Sequence, residues 1–201
     1  MALPRFAVTY DYRCPFARNA HEHLVTALEG GASWDVDFLP FSLSQVHVEE
    51  GQPPVWDDPD KAADLLAIEA SLAVRHHQPE HFLAVHRALF AVRHDQGKDL
   101  RDQAVVRDAL QTAGADAEAA LAVVAGGEPH RLFRAAHEAA VAGHQVFGVP
   151  TFVVGDRAVF VRLMTRPNGD AAAARALIEQ VVGLAIGHPE INELKATTID
   201  R

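Results

Sequence analysis

Apolar and polar positions change period several times along the chain, and each change marks an element. Residues 6–12 are rich in β-formers and run into Arg13-Cys14-Pro15, where the proline stops a strand but suits the first turn of a helix. From Phe16 the apolar positions Phe16, Ala20, Leu24 and Leu28 recur four apart, with Ala17 and Ala27 beside them. That spacing predicts an amphipathic helix closed by Gly30-Gly31. Trp34, Val36 and Phe38 then alternate with Asp35 and Asp37, the period of a strand with one buried face, and Pro40 ends it. A β-α-β start of this kind implies parallel strands.

Between about residues 59 and 144 no strand pattern occurs. Leu65, Leu66, Ile68, Leu72 and Val74 give one helical run, and Phe82, Val85, Leu89 and Phe90 give another. Further helices are expected over 99–113, with Asp99 as cap, over 117–124 and over 129–143. Two β-rich runs follow, 151–154 and 158–161, separated by Gly155-Asp156-Arg157 in the manner of a hairpin. A last helix over 170–186 turns Leu177, Ile178, Val181, Val182 and Ala185 toward the sheet, and Gly187 with Pro189 stops it. The expected fold class is α/β: β-α-β, then a β-hairpin and a C-terminal helix, with a large all-helical insertion. Residues 1–55 and 145–201 would form the α/β domain, and 56–144 the inserted helical subdomain.

Composition narrows the function. The net charge of -9 argues against a surface that neutralises phosphates, so neither nucleic acid nor an anionic membrane is an expected partner. No stretch approaches the roughly 20 apolar residues that span a bilayer, and the first residues lack a secretory pattern, so a cytoplasmic location is expected. His77 and His81 are four apart, but Pro79 lies between them and no third ligand follows, so no metal site is expected. Trp56, Phe82, Phe90 and Phe133 stand at helical spacing and read as core, and no Gly-rich phosphate loop is visible.

Cys14 is the chain's one cysteine, which excludes an intrachain disulfide. A thiol reacts as its thiolate, and a helix N-terminus favours that anion through unpaired N–H groups and the helix dipole; at such sites a thiol ionises at roughly 3.5 to 7.5 instead of about 8.5. Arg13 is adjacent and Arg18 one turn on, so both are candidate activating charges. Val149-Pro150-Thr151 precedes a predicted strand. From local sequence alone a trans proline that starts the strand is favoured. A cis bond there would turn the backbone of Val149 outward, where an extended partner could pair with it while its sulfur meets Cys14.

Taken together, Cys14-Pro15-Phe16-Ala17, Pro150 within Phe147-Gly148-Val149-Pro150-Thr151-Phe152, and the intervening helices resemble the DsbA-like branch of the thioredoxin superfamily. The resemblance covers nearly the whole chain and implies a thioredoxin-like fold. It makes Cys14 the catalytic residue, assigns substrate contacts to Pro15, Phe16, Val149, Pro150 and Thr151, and maps the family's cis-proline onto Pro150. That branch carries Cys-Pro-X-Cys; here Ala17 replaces the second cysteine. Within the branch, His94-Asp95-Gln96-Gly97 and the tail from Leu163 through Pro189 to Lys195 are similar to actinobacterial relatives of mycothiol-dependent nitroreductases. The likeness also suggests that His94 lines the cleft beneath the helical block.

A lone thiol cannot resolve its own mixed disulfide, so a second molecule must, and mycothiol or glutathione is the implied co-substrate. Three readings follow. The first is a cytoplasmic monothiol thiol–disulfide oxidoreductase. In the second, a transferase or isomerase of the kappa-class or 2-hydroxychromene-2-carboxylate isomerase type, Cys14 donates a hydrogen bond to a bound external thiolate; these enzymes share the Gly-Val-Pro-Thr-Phe pattern but commonly carry a serine near Cys14. The third is a binding protein of the same fold without catalysis. No tightly bound cofactor is implied, and the resemblance leaves room for a homodimer.

Overall fold

A computed structural model describes residues 3–198. At its centre β1 (Phe6–Tyr10) lies between β2 (Val36–Pro40) and β3 (Thr151–Val154), and β4 (Arg157–Phe160) closes the sheet in the order β2-β1-β3-β4. β1 runs parallel to β2, with Phe6 opposite Val36 and Tyr10 opposite Pro40, and antiparallel to β3. Both faces of β1 are covered, which explains its near-continuous apolar run: Phe6, Val8 and Tyr10 are buried on one face and Thr9 on the other. The β3–β4 hairpin is one residue tighter than the sequence suggests. Val154 pairs with Arg157, and Gly155, at φ +57°, takes the first position of a two-residue loop that a residue with a Cβ would strain.

Helix α1 (Pro15–Glu29) crosses from β1 to β2 and packs along α8 (Ala171–Gly187), whose N-cap Asp170 accepts from the Ala173 N–H. The two helices meet closely where α1 ends. A Cβ at Gly30 would lie 2.4 Å from the Cβ of Ala171, so this position excludes any side chain.

Between β2 and β3 stand α2 (Leu43–Val46), α3 (Ala62–His77), α4 (Phe82–His94), α5 (Gln103–Thr112), α6 (Ala117–Ala125) and α7 (Glu128–His144), the expected helical insertion with one short helix more than the pattern predicts. Ser42 caps α2 by accepting from the Gln45 N–H. The expected start of the next-to-central helix at Asp99 is corrected. Asp102 caps α5 by accepting from Ala104, because Asp99 is already engaged by the backbone and guanidinium of Arg101. His77 and His81 do not share a helix face. Pro79 opens a 3-10 turn between α3 and α4, and His77 instead hydrogen-bonds Glu128 at 3.0 Å. Trp56, Phe82, Phe90 and Phe133 are buried in the core. The division into 1–55 with 145–201 and 56–144 is retained as a proposal; residues 1–2 and 199–201 of its outer segments lie outside the described residues.

The insertion is joined to the sheet by an aromatic cluster of Tyr10, Tyr12, Phe38, Phe82 and Phe90 around two buried histidines, His21 on α1 and His86 on α4. The histidines form a chain whose direction follows from its acceptor end. His21 Nε2 lies 3.1 Å from the carbonyl of Thr9, which only accepts, so that nitrogen carries the proton. His21 Nδ1 therefore accepts from His86 Nε2 at 3.0 Å, and His86 Nδ1 accepts from the Tyr12 hydroxyl at 2.8 Å. Both rings are neutral. Burial pushes His21 down to about 4 and His86 well below its ordinary value, with the His21 ring and Arg75 adding to the effect on His86.

Unfolding lets both imidazoles take protons below about pH 6.5, which the folded rings resist, so the unfolded state binds more protons as pH falls. The stability held above pH 6.5 is thus lost on the acid side, down toward pH 4 for His21. Glutamine at position 86 can accept from Tyr12 and donate to His21 without titrating. The unfolding free energy of His86→Gln, measured with urea from pH 7 to 5, is expected to fall less steeply than that of the parent, by up to about 1.4 kcal/mol per pH unit below pH 6. Identical slopes would show that His86 does not titrate on unfolding.

Candidate functional site

β1 delivers the chain to a turn, Asp11-Tyr12-Arg13, in which the Cys14 N–H donates to the Asp11 carbonyl at 3.0 Å. Cys14 has extended backbone (φ -91°, ψ 119°) and is the N-cap of α1, with Pro15 at the first helical position where no N–H is needed. Its sulfur does what a capping oxygen would do. Sγ accepts from the Ala17 N–H at 3.4 Å. On its other side the thiol donates to the carbonyl of Val149, also at 3.4 Å.

The Val149–Pro150 peptide is cis. Its loop is anchored to β1 by Thr9, whose hydroxyl donates to the Gly148 carbonyl at 3.3 Å and accepts from the Thr151 N–H at 2.8 Å. The Thr151 hydroxyl donates to the same Gly148 carbonyl at 2.8 Å. The Thr9 carbonyl also ends the histidine chain that begins at Tyr12. One strand residue therefore connects the turn before Cys14 with the loop opposite it.

Cys14 is 8% exposed, and burial, with the Asp11 carboxylate nearby, pushes its thiol up from the ordinary value. The N–H groups of Ala17 and Phe16 oppose this without overcoming it. The expected activation by Arg13 and Arg18 is corrected, because carboxylates engage both guanidiniums. Arg13 grips Asp11 through its backbone N–H at 2.9 Å and its side chain at 2.9 and 3.2 Å, and it reaches Ser44. Arg18 pairs with Glu22 at 3.0 Å and with Asp95. Asp11 itself is buried and also accepts from the Leu43 N–H, so the turn is fastened to α2.

Pro15 and Phe16 stand at the helix start, with the Arg162 guanidinium 5.4 Å above the Phe16 ring. Val149, Pro150 and Thr151 are buried, while Phe147 beside them is 67% exposed and packs against Phe160 with ring centroids 5.2 Å apart. The fold thus brings Cys14 and Val149 into direct contact. His94 is at the site too, its Nε2 2.9 Å from the Tyr12 carbonyl. Sequence reading missed Thr9, Asp11, His21 and His86. Thr9 and Asp11 carried a faint signal, polar residues in or just after an otherwise apolar strand; the two histidines carried none, since their pairing spans 65 positions.

The family described as DSBA-like thioredoxin domain matches residues 7–165 of this chain. Among solved structures, the chain is similar to the cytosolic disulfide reductase DsbM from Pseudomonas aeruginosa with GSH, with a TM-score of 0.59 and 18% identity over 89% of this chain and 99% of that one. It is also similar to Pseudomonas aeruginosa DsbA, with a TM-score of 0.56 and 23% identity over 90% and 85%. A probable DsbA oxidoreductase from Streptomyces coelicolor gives a TM-score of 0.59 and 18% identity over 98% and 94%. At such identities the likeness is one of fold. No curated protein matches the sequence. Among the described residues no helix is long and apolar enough to cross a membrane.

Alkylation of Cys14 by iodoacetamide, followed by intact mass across pH, is expected to show a midpoint above that of an unstructured cysteine peptide. Asp11→Asn removes the nearby negative charge and is expected to lower that midpoint. A parent midpoint near neutrality would contradict the effect of burial described here.

Proposed function

Because the chain belongs to the DsbA-like thioredoxin-domain family, we propose that it is a thiol–disulfide oxidoreductase that works through the single thiol of Cys14 with a low-molecular-weight thiol as co-substrate. The observation that carries this reading is the contact of the Cys14 sulfur, at the N-cap of α1, with the carbonyl of Val149 next to the cis-proline. Within the family the tail and the 94–97 segment favour kinship with mycothiol-dependent nitroreductases, and a cytoplasmic site of action suits a reaction that draws on a pool of small thiols.

The resting thiol is held protonated, since a hydrogen bond from the neutral form and burial both oppose ionisation. An extended partner that pairs with the Val149 carbonyl removes the acceptor of the thiol proton. The Ala17 and Phe16 N–H groups and the helix dipole then favour the anion, so ionisation is coupled to substrate docking. The Cys14 thiolate attacks one sulfur of the substrate disulfide, forming a mixed disulfide and expelling the other sulfur as a thiolate, which takes a proton. A small thiolate attacks the sulfur of the mixed disulfide that came from the substrate, forms a new disulfide with it and releases the Cys14 thiolate. Two electrons pass from the small thiols to the substrate disulfide when the attacked sulfur is itself that of a small thiol. Ala17, buried where the family motif has a second cysteine, leaves no internal resolving group.

The protonated resting thiol also favours a second reading, in which Cys14 donates a hydrogen bond to a bound external thiolate that attacks an electrophile. The two separate on Cys14→Ser. Reduction of a glutathionylated peptide is expected to fall at least a hundredfold in that variant, with no mixed disulfide at position 14; retained thiol-dependent activity on an electrophile supports the second reading instead. Ala17→Cys is expected to acquire a reversible disulfide between positions 14 and 17, seen as a mass loss of two hydrogens, and to depend less on added thiol.

A further inference from the structure

Beside the turn that precedes Cys14, on the side of the helical insertion, lies a cavity of about 350 Å³. Its charged lining consists of Asp11 and Arg13 from the turn, Asp64 from α3, Arg93 from α4, and Asp99 with Arg101 from the segment before α5. Three carboxylates face three guanidiniums, yet the pairing among them is incomplete. Arg13 is committed to both oxygens of Asp11 and to Ser44. Arg101 is committed to both oxygens of Asp99, at 3.1 Å to Oδ1 and 2.7 Å to Oδ2. Two groups remain. Arg93, in the last turn of α4, has no hydrogen bond or ion pair among the described residues, and Asp64 accepts only the Ser44 hydroxyl at 3.1 Å, with Arg13 3.9 Å away. One wall thus carries a cation without a partner, and another an anion with spare acceptor capacity.

We propose that this cavity binds the α-amino acid head of a peptidic small thiol, its carboxylate on Arg93 and its ammonium at Asp64, with the sulfur directed to Cys14. The inference rests on the co-substrate reading above and names the class of that co-substrate. A zwitterionic head replaces water on exposed Arg93 and half-buried Asp64 with charge-assisted hydrogen bonds, whereas the hydroxyls of an uncharged sugar-based thiol supply no opposite charge to either. The volume is at the lower end of the roughly 300–1,000 Å³ of small-molecule sites, enough for a head group. A tripeptide thiol extends on the order of 10 Å, and Arg13 on the cavity wall immediately precedes Cys14 in the chain.

S-methylglutathione, which cannot exchange, isolates binding from chemistry. Titrated calorimetrically into the parent protein, it is expected to bind saturably, at least tenfold more weakly in Arg93→Met and in Asp64→Asn, and unchanged in Arg87→Met, whose guanidinium pairs with Glu29 away from the cavity. Absence of binding to the parent, or equal binding to Arg93→Met, overturns the proposal. Turnover of a glutathionylated peptide with glutathione and with 2-mercaptoethanol separates this from failure of the enzymatic reading. If Arg93→Met leaves the preference between the two thiols where it was, the cavity is not the head-group site although the exchange chemistry stands. If neither thiol supports turnover while S-methylglutathione binding depends on Arg93, the site stands and the exchange reading falls.

Discussion

A thiol and a backbone carbonyl 135 residues apart meet across the gap between the start of α1 and the loop before β3, and the surrounding structure serves to hold that meeting in place. Cys14 is placed by the turn that Asp11 organises, and Val149 by a loop whose backbone is fastened to the Thr9 hydroxyl. Because Thr9 sits on the central strand, between β2 and β3, movement of either side of the site would require breaking sheet hydrogen bonds as well.

The helical insertion takes part in this through a polar thread inside an aromatic core. Tyr12, His86, His21 and the Thr9 carbonyl form a chain with one consistent direction of donation, so no buried nitrogen or hydroxyl within it lacks a partner. That arrangement fixes the side chain two residues before Cys14 against α4, and it requires neutral imidazoles. Charged pairs lie outside that thread. There Arg13 and Arg18 tie the turn and the first helix to neighbouring segments through carboxylates, which explains why two guanidiniums close in sequence to the thiol do not activate it. The acidity of Cys14 is instead set first by burial, with the Asp11 carboxylate acting in the same direction and the Ala17 and Phe16 N–H groups against it.

Much of this was legible in the chain. The alternation around Phe38, the four-residue spacing after Phe16 and the Gly155 turn are local patterns, and local geometry obeyed them, with errors confined to ends: the hairpin tightened by one residue, and Asp102 displaced Asp99 as cap because Arg101 competed for the latter. Cys14 as the N-cap of a helix was readable from Pro15, since a proline's ring suits the first helical position. Reading Arg13 and Arg18 as activators failed for a definite reason. Proximity in sequence fixes where a backbone lies, while a long side chain goes to whichever carboxylate the fold presents, here Asp11, Glu22 and Asp95.

The sequence by itself determined the order and type of the elements, the capping position of the one cysteine, and the lack of an internal resolving thiol, because each of these depends on residues a few positions apart. The tertiary structure alone decided that the Val149 carbonyl beside cis Pro150 meets that cysteine, that His86 and His21 share a hydrogen-bond chain, and that Arg93 and Asp64 are left over on a common cavity. Those facts belong to groups brought together from distant segments, where burial and the competition for partners set the outcome, and neither is written in any short stretch of residues.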